Sequence, residues 1–246
     1  MGRYLWHWHL KKMAIAILMP VTDYDTIPDY ALMADAIPGN ALYERPATLA
    51  LLPPLENLDV LDAGCGNGFY SAHAADAGAR VVAFDPSKEM IAYAKERVGD
   101  RCELHHCRTE ELEQILSGRK FDLILSCLVL HYVQDLAREL SLLAGLLKPD
   151  GQIIVSMKHP LLNLGLIEKR GYRAKSLIKV KWSGLGDMIS VQRPLGDITS
   201  SMDAAGLYID RFVEAKPEPE MEEKAPAQYR LAALIPFFVH FILKKR

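Results

Sequence analysis

Asp62 is followed, two residues on, by glycines alternating at positions 64, 66 and 68. Glycines let a backbone approach a bound molecule where a Cβ would intrude, and a carboxylate beside them accepts strong hydrogen bonds from hydroxyl groups. A second acid, Asp85, closes the apolar run Arg80–Asp85, 23 positions further on (85 minus 62). That separation is close to the one at which an acid takes ribose hydroxyls in doubly wound folds; the competing role is a cap for the next helix. His131 and His159 add imidazoles, whose pKa suits proton removal near neutrality. An acid, a glycine turn and a second acid at this spacing suit a ligand bound outside the strand ends.

These residues need strands that end where they stand. Val60 and Leu61 form a short apolar run of the kind a buried parallel strand requires, and helix-forming sequence follows from Phe69 to Ala77. A strand, a glycine turn and a helix make the first unit of a doubly wound α/β fold, which binds its ligands outside the carboxyl ends of the strands. The spacing is G-x-G-x-G, so it is neither the dinucleotide G-x-G-x-x-G nor a phosphate loop, which needs Gly-Lys-Ser/Thr. Further strands are expected at 80–85, 101–106, 121–126, 152–157 and 207–213. A helix is expected over 88–98 with Ser87 as its cap, and a solvated Pro/Glu-rich loop over 216–227.

The stretch Asp62-Ala63-Gly64-Cys65-Gly66-Asn67-Gly68 closely resembles the first motif of the class I S-adenosylmethionine-dependent methyltransferases. Ser126-Cys127-Leu128-Val129-Leu130-His131-Tyr132 resembles their motif after the fourth strand, and Lys148-Pro149-Asp150-Gly151 their turn before the fifth. The likeness runs from about Tyr24 onward and points to small-molecule methyltransferases of the type 11 kind. It implies a doubly wound, Rossmann-like α/β fold with seven strands, mostly parallel, the last (236–243) antiparallel. It also implies a lid over 21–57, a core over 58–246 and a cap inserted at about 158–196.

The same resemblance assigns roles. The donor S-adenosylmethionine would lie against Asp62, the 63–68 turn, Ser126 and Cys127, with its ribose on Asp85 and its adenine beside Pro86 and Met90. The family commonly carries Asp where this chain has Arg108, so recognition of the adenine edge falls to backbone near 107–109, or to Thr109 or Glu110. Tyr24, Tyr30, Tyr43, Tyr132 and Trp182 are candidate walls for a small-molecule acceptor; each could equally pack on the core. His131 is the first candidate base and His159 the second, with packing as their alternative role. No Asn/Asp-Pro-Pro-Tyr motif is present, which disfavours DNA amino-methylation.

Composition narrows the partners. Half of the 246 residues are apolar and the formal net charge is −2, with no basic stripe of the kind that grips nucleic acid. A tRNA-base methyltransferase using Lys169, Arg170, Arg173, Lys175, Lys179 and Lys181 is one alternative, and a non-enzymatic donor-binding protein another. The cysteines (65, 102, 107, 127) lack C-x-x-C spacing, so no metal site is expected and a reducing cytoplasm is. Residues 1–20 read as a loosely packed or disordered leader, and no apolar stretch is long enough to span a membrane as a helix.

Overall fold

The computed structural model describes residues 24–27, 30–163, 171–182 and 186–246. The leader expected at 1–20 lies outside them. The chain enters through two short helices, α1 (Tyr30–Met33) and α2 (Arg45–Leu49), with a π-helical turn, Asn40–Glu44, between them. It then alternates β1 (Asp59–Ala63), α3 (Phe69–Asp76), β2 (Arg80–Asp85), α4 (Lys88–Val98), β3 (Cys102–His106), α5 (Leu112–Leu116), β4 (Phe121–Cys127), α6 (Leu136–Leu146) and β5 (Leu147–Lys158). A hairpin of β6 (Ser176–Trp182) and β7 (Gly186–Gln192) interrupts the alternation. It resumes with α7 (Leu195–Ala204), β8 (Leu207–Val213), α8 (Glu220–Lys224), α9 (Pro226–Ala232) and β9 (Phe238–Lys245).

Seven strands form one sheet in the order β3-β2-β1-β4-β5-β9-β8. β1 to β5 are parallel, and β9 slots antiparallel between β5 and β8. Successive residues of a strand face opposite sides of the sheet, so a central strand buries both. Val60 packs with Ala74, Ala94 and Val98 of the α3/α4 layer, while Leu61 packs with Leu116, Leu140 and Leu143 of the α5/α6 layer. Strand order reverses between β1 and β4, and a crevice opens there at the carboxyl ends of the strands.

Three segments depart from the sequence expectation. The Lys148–Gly151 turn is drawn into β5, which starts at Leu147. The register slips there, with Phe121 opposite Leu147 but Leu123 opposite Gln152. The segment expected as a cap, about 158–196, contains the β6–β7 hairpin, whose Ile178 and Met188 are buried. The segment 216–227 is not a solvated loop: α8 and the start of α9 occupy it. Met221 is fully buried among Tyr43, Phe237 and Phe238, because Pro219 and Pro226 begin short helices that lay one apolar side chain inward. Met221→Ala is therefore expected to cost about 2–5 kcal/mol in urea denaturation, against under about 0.5 for a solvated side chain.

Candidate functional site

The crevice is a cavity of about 1160 Å³, larger than the ~300–1,000 Å³ of a typical small-molecule pocket, so it has room for a nucleoside-sized donor and a second molecule. Its floor is the turn after β1. Gly64 has φ of +76°, and a Cβ there would stand 2.5 Å from Val129 Cγ2, so only glycine lets the turns after β1 and β4 meet. Gly66 has φ of +53° with open space at its Cβ position, which leaves its backbone bare to the cavity. Its N–H donates to Asp85 Oδ2 at 2.9 Å, while Ser87 N–H donates to Asp85 Oδ1 at 2.9 Å. Burial raises the Asp85 carboxyl to about 6, against those two bonds, which favour the ionised form. Each oxygen keeps a lone pair for a hydroxyl donor, and Phe84, Pro86 and Met90 line the wall beside it. A carboxylate next to an apolar slot and a bare backbone turn fits an adenosyl group.

Asp62 is not in the lining. It lies behind the turn, buried, where its Oδ2 accepts from Ser71 Oγ of α3 at 2.6 Å, bracing that helix to β1. Gly68 caps α3 and is likewise outside the lining. Asn67 reaches the cavity, but its amide donates to Ala31 O (2.8 Å) and Asp35 Oδ1 (3.1 Å). Ala63, Cys65, Thr109, Glu110 and Cys127 join the lining; Ser126 does not, and its Oγ has no hydrogen-bond partner among the described residues. Thr109 Oγ1 donates to Glu139 on α6, fixing the rim next to Arg108.

The opposite wall is aromatic. Tyr24 and Tyr30 lie 4.6 Å apart, Tyr24 meets Tyr132 edge-on at 5.6 Å, and Tyr132 lies 4.2 Å from His131. All four line the cavity. His131 is buried, and neither of its nitrogens has a hydrogen-bond partner among the described residues. Burial, then the charges of Lys158 and Arg193, hold its pKa well below the usual value, so the ring is neutral at physiological pH. His159 and Tyr43 are outside the lining. His159 Nδ1 accepts from Leu161 N–H, and Nε2 faces Glu214 at 2.9 Å. The Tyr43 hydroxyl donates to Ala215 O at 2.7 Å. Trp182 pairs with Gly186 in the cap hairpin, and its side chain lies outside the described residues.

Two lining residues had no motif to reveal them. Glu44 is buried and accepts from Thr48, Ser156 and Tyr70 at 2.5–2.8 Å; burial raises its carboxyl. Lys158, the last residue of β5, reaches Tyr132 Oη at 3.4 Å. Leu128, next to Cys127, holds φ of +57°, a left-handed backbone that costs of order 1–2 kcal/mol, and donates to both Ser156 O (2.9 Å) and Oγ (3.0 Å).

Burial raises Asp62 from 3.8 to about 7, outweighing the Ser71 bond. The folded protein then keeps a proton that the unfolded chain releases above about pH 4. This contribution to stability is present below that pH and is lost as pH rises through about 7, on the order of 4 kcal/mol in all. Asp62→Asn retains an acceptor for Ser71 and removes the slope. Its stability relative to wild type, read by urea denaturation, is expected to improve by a few kcal/mol between about pH 5 and about pH 8. A constant difference would refute the buried-carboxyl account.

Residues 61–155 match the family model described as a methyltransferase domain. A solved S-adenosylmethionine-dependent methyltransferase from Mesorhizobium loti superposes with a TM-score of 0.70 at 25% identity, covering 84% of this chain and 99% of that one. Among curated relatives, a ubiquinone biosynthesis O-methyltransferase of Rhizobium etli is 36% identical over 106 residues, 42% of each chain. A malonyl-[acyl-carrier protein] O-methyltransferase of Pectobacterium atrosepticum is 37% identical over 107 residues, 43% of this chain and 40% of that one. The chain spans about half or less of the length of such relatives. The glycine turn, the reversed strand order and the antiparallel β9 agree with these matches: residues 61–155 match a methyltransferase domain, set in a sheet of the kind found in S-adenosylmethionine-dependent methyltransferases.

Proposed function

We propose that the protein transfers a methyl group from S-adenosylmethionine to a small-molecule acceptor. The observation that carries this reading is the Asp85–Gly66 clasp at the floor of a cavity whose far wall is tyrosine-lined. When bound, the donor supplies an electrophilic methyl on a sulfonium that is already activated. The chain's own share is then alignment and the exclusion of water. Asp85 takes the ribose hydroxyls, Met90 and Pro86 flank the adenine, and Thr109 and Glu110 meet its edge. The 63–66 turn, Cys127 and Glu44 hold the amino-acid end. Tyr24, Tyr30 and Tyr132 shape the acceptor pocket under the lid. His131 stays neutral and, with Lys158 and Arg193 nearby, is only a weak base for an acceptor that arrives protonated; His159 holds the start of the cap to Glu214 beyond β8.

The curated relatives' names favour a small acceptor over the tRNA-base alternative. Of its proposed patch, Lys169 and Arg170 lie outside the described residues. Among the described residues no helix is long and apolar enough to cross a membrane. The four unpaired cysteines support a reducing, cytoplasmic setting.

Thermal unfolding with S-adenosylhomocysteine, S-adenosylmethionine and NADH tests the reading. The adenosyl compounds at about a hundred times their dissociation constants are expected to add about 2.7 kcal/mol, and NADH nothing. Asp85→Asn is expected to weaken S-adenosylhomocysteine by roughly ten- to a hundredfold. In wild type the affinity falls as pH drops below about 6, because a proton then competes for the carboxylate, and the variant loses that dependence. Stabilisation by NADH alone would overturn the proposal.

A further inference from the structure

We propose that Lys158 anchors an ionised oxygen of the acceptor, so that the molecule methylated is a planar acid, a phenol or a carboxylate, and not an amine. The proposal rests on the methyl-transfer reading only in calling this ligand the acceptor. Lys158 ends β5, while Asp85 ends β2. With the order β2-β1-β4-β5, three strand spacings separate them, roughly 14 Å. Asp85, Glu110 and Glu139 line the nucleoside end together with Arg108 and Arg138, so charge there is mixed; at the other flank Lys158 stands beside the tyrosine wall.

The surroundings of that lysine are those of a binding pocket for a flat ring. Its Nζ lies 5.3 Å from the Tyr132 ring centroid and 3.4 Å from the Tyr132 hydroxyl. Tyr24 and Tyr30 continue the aromatic wall, and Ile27 with Met188 of the cap closes over them. A second, smaller cavity beneath the cap is lined by the same Lys158 and His131 together with Ser190, Gln192 and Arg193, so the cap reaches the acceptor end. Arg193 adds a second cation there, its guanidinium donating to Val133 O and Gln134 O. Burial pulls Lys158 down to about 8, which leaves it a cation at neutral pH. An anion placed against it is attracted in a low-dielectric site, and an ammonium is repelled. An acceptor that enters ionised also has no proton for the neutral His131 to remove.

Two matched probe pairs test this by calorimetry on the protein saturated with S-adenosylhomocysteine, slightly above neutral pH: 4-nitrophenolate against 4-nitroanisole, and benzoate against benzamide. One anion is expected to bind at least about tenfold more tightly than its neutral partner. The preference is expected to vanish in Lys158→Met and persist in Lys158→Arg, with thermal stability and S-adenosylhomocysteine affinity at wild-type levels in both. Lys158→Gln replaces the Met variant if that one does not fold. A preference in the first pair assigns a phenol, and in the second a carboxylate. No preference in either pair, or a preference that survives Lys158→Met or Lys158→Gln, overturns the proposal. Failure of the donor reading appears separately, as S-adenosylhomocysteine giving no stabilisation.

Discussion

The structure depends on how closely two turns approach at the point where strand order reverses. Gly64 lies so near Val129 that a single methyl group would be 2.5 Å from its Cγ2, and Gly66 is tied to Asp85 by its own N–H. The turn after β1 is thus fixed to β2 on one side and to the loop after β4 on the other. That loop bears its own strain at Leu128, whose N–H is held by Ser156 of β5. Four neighbouring strands converge on one patch of backbone, and interior packing density leaves such a patch little freedom to shift. A cavity floor of this kind is rigid before any ligand arrives.

The same turn also holds the roof. Asn67 donates to Ala31 and Asp35 and accepts from Arg97 of α4, while Asp35 pairs with both Arg97 and Arg45. Further out, Asp25 accepts from the Ser87 hydroxyl and from the N–H groups of Lys88 and Glu89, an anion seated on a helix N-terminus. These bonds join the N-terminal segment to the glycine turn and to α4. The ring of Tyr24 is thereby carried over to Tyr132 at the far side. Asn67 thus ties the N-terminal segment to the glycine turn through both ends of its amide.

The parallel strands were legible because burial on both faces leaves a bare apolar run: Val60 and Leu61 face opposite layers and both are fully buried. The acid–glycine turn was legible because its chemistry is local. Glu44 and Lys158 were not, since each acquires its role from partners more than 25 positions away: Tyr70 and Ser156 for the one, Tyr132 for the other. The β6–β7 hairpin did leave a signal in the alternation Ile178-Lys179-Val180-Lys181 ahead of Gly184-Leu185-Gly186, which reads as a strand and a turn. The composition of 216–227 misled in the other direction. Proline and glutamate dominate it, yet the single apolar Met221 decides its placement.

Charge within the cavity limits what its groups are able to do. His131 lies between a buried lysine and a buried arginine, so a proton arriving on its ring would meet two cations in a site with little water. A base in that position works only weakly, because the imidazolium it must become is the disfavoured form. Glu44 is engaged by three hydroxyl donors, Thr48, Tyr70 and Ser156, so its oxygens are committed to holding those neighbours. With His131 restrained in this way, the proposed transfer relies on positioned reactants more than on a base, in keeping with an acceptor that binds already ionised.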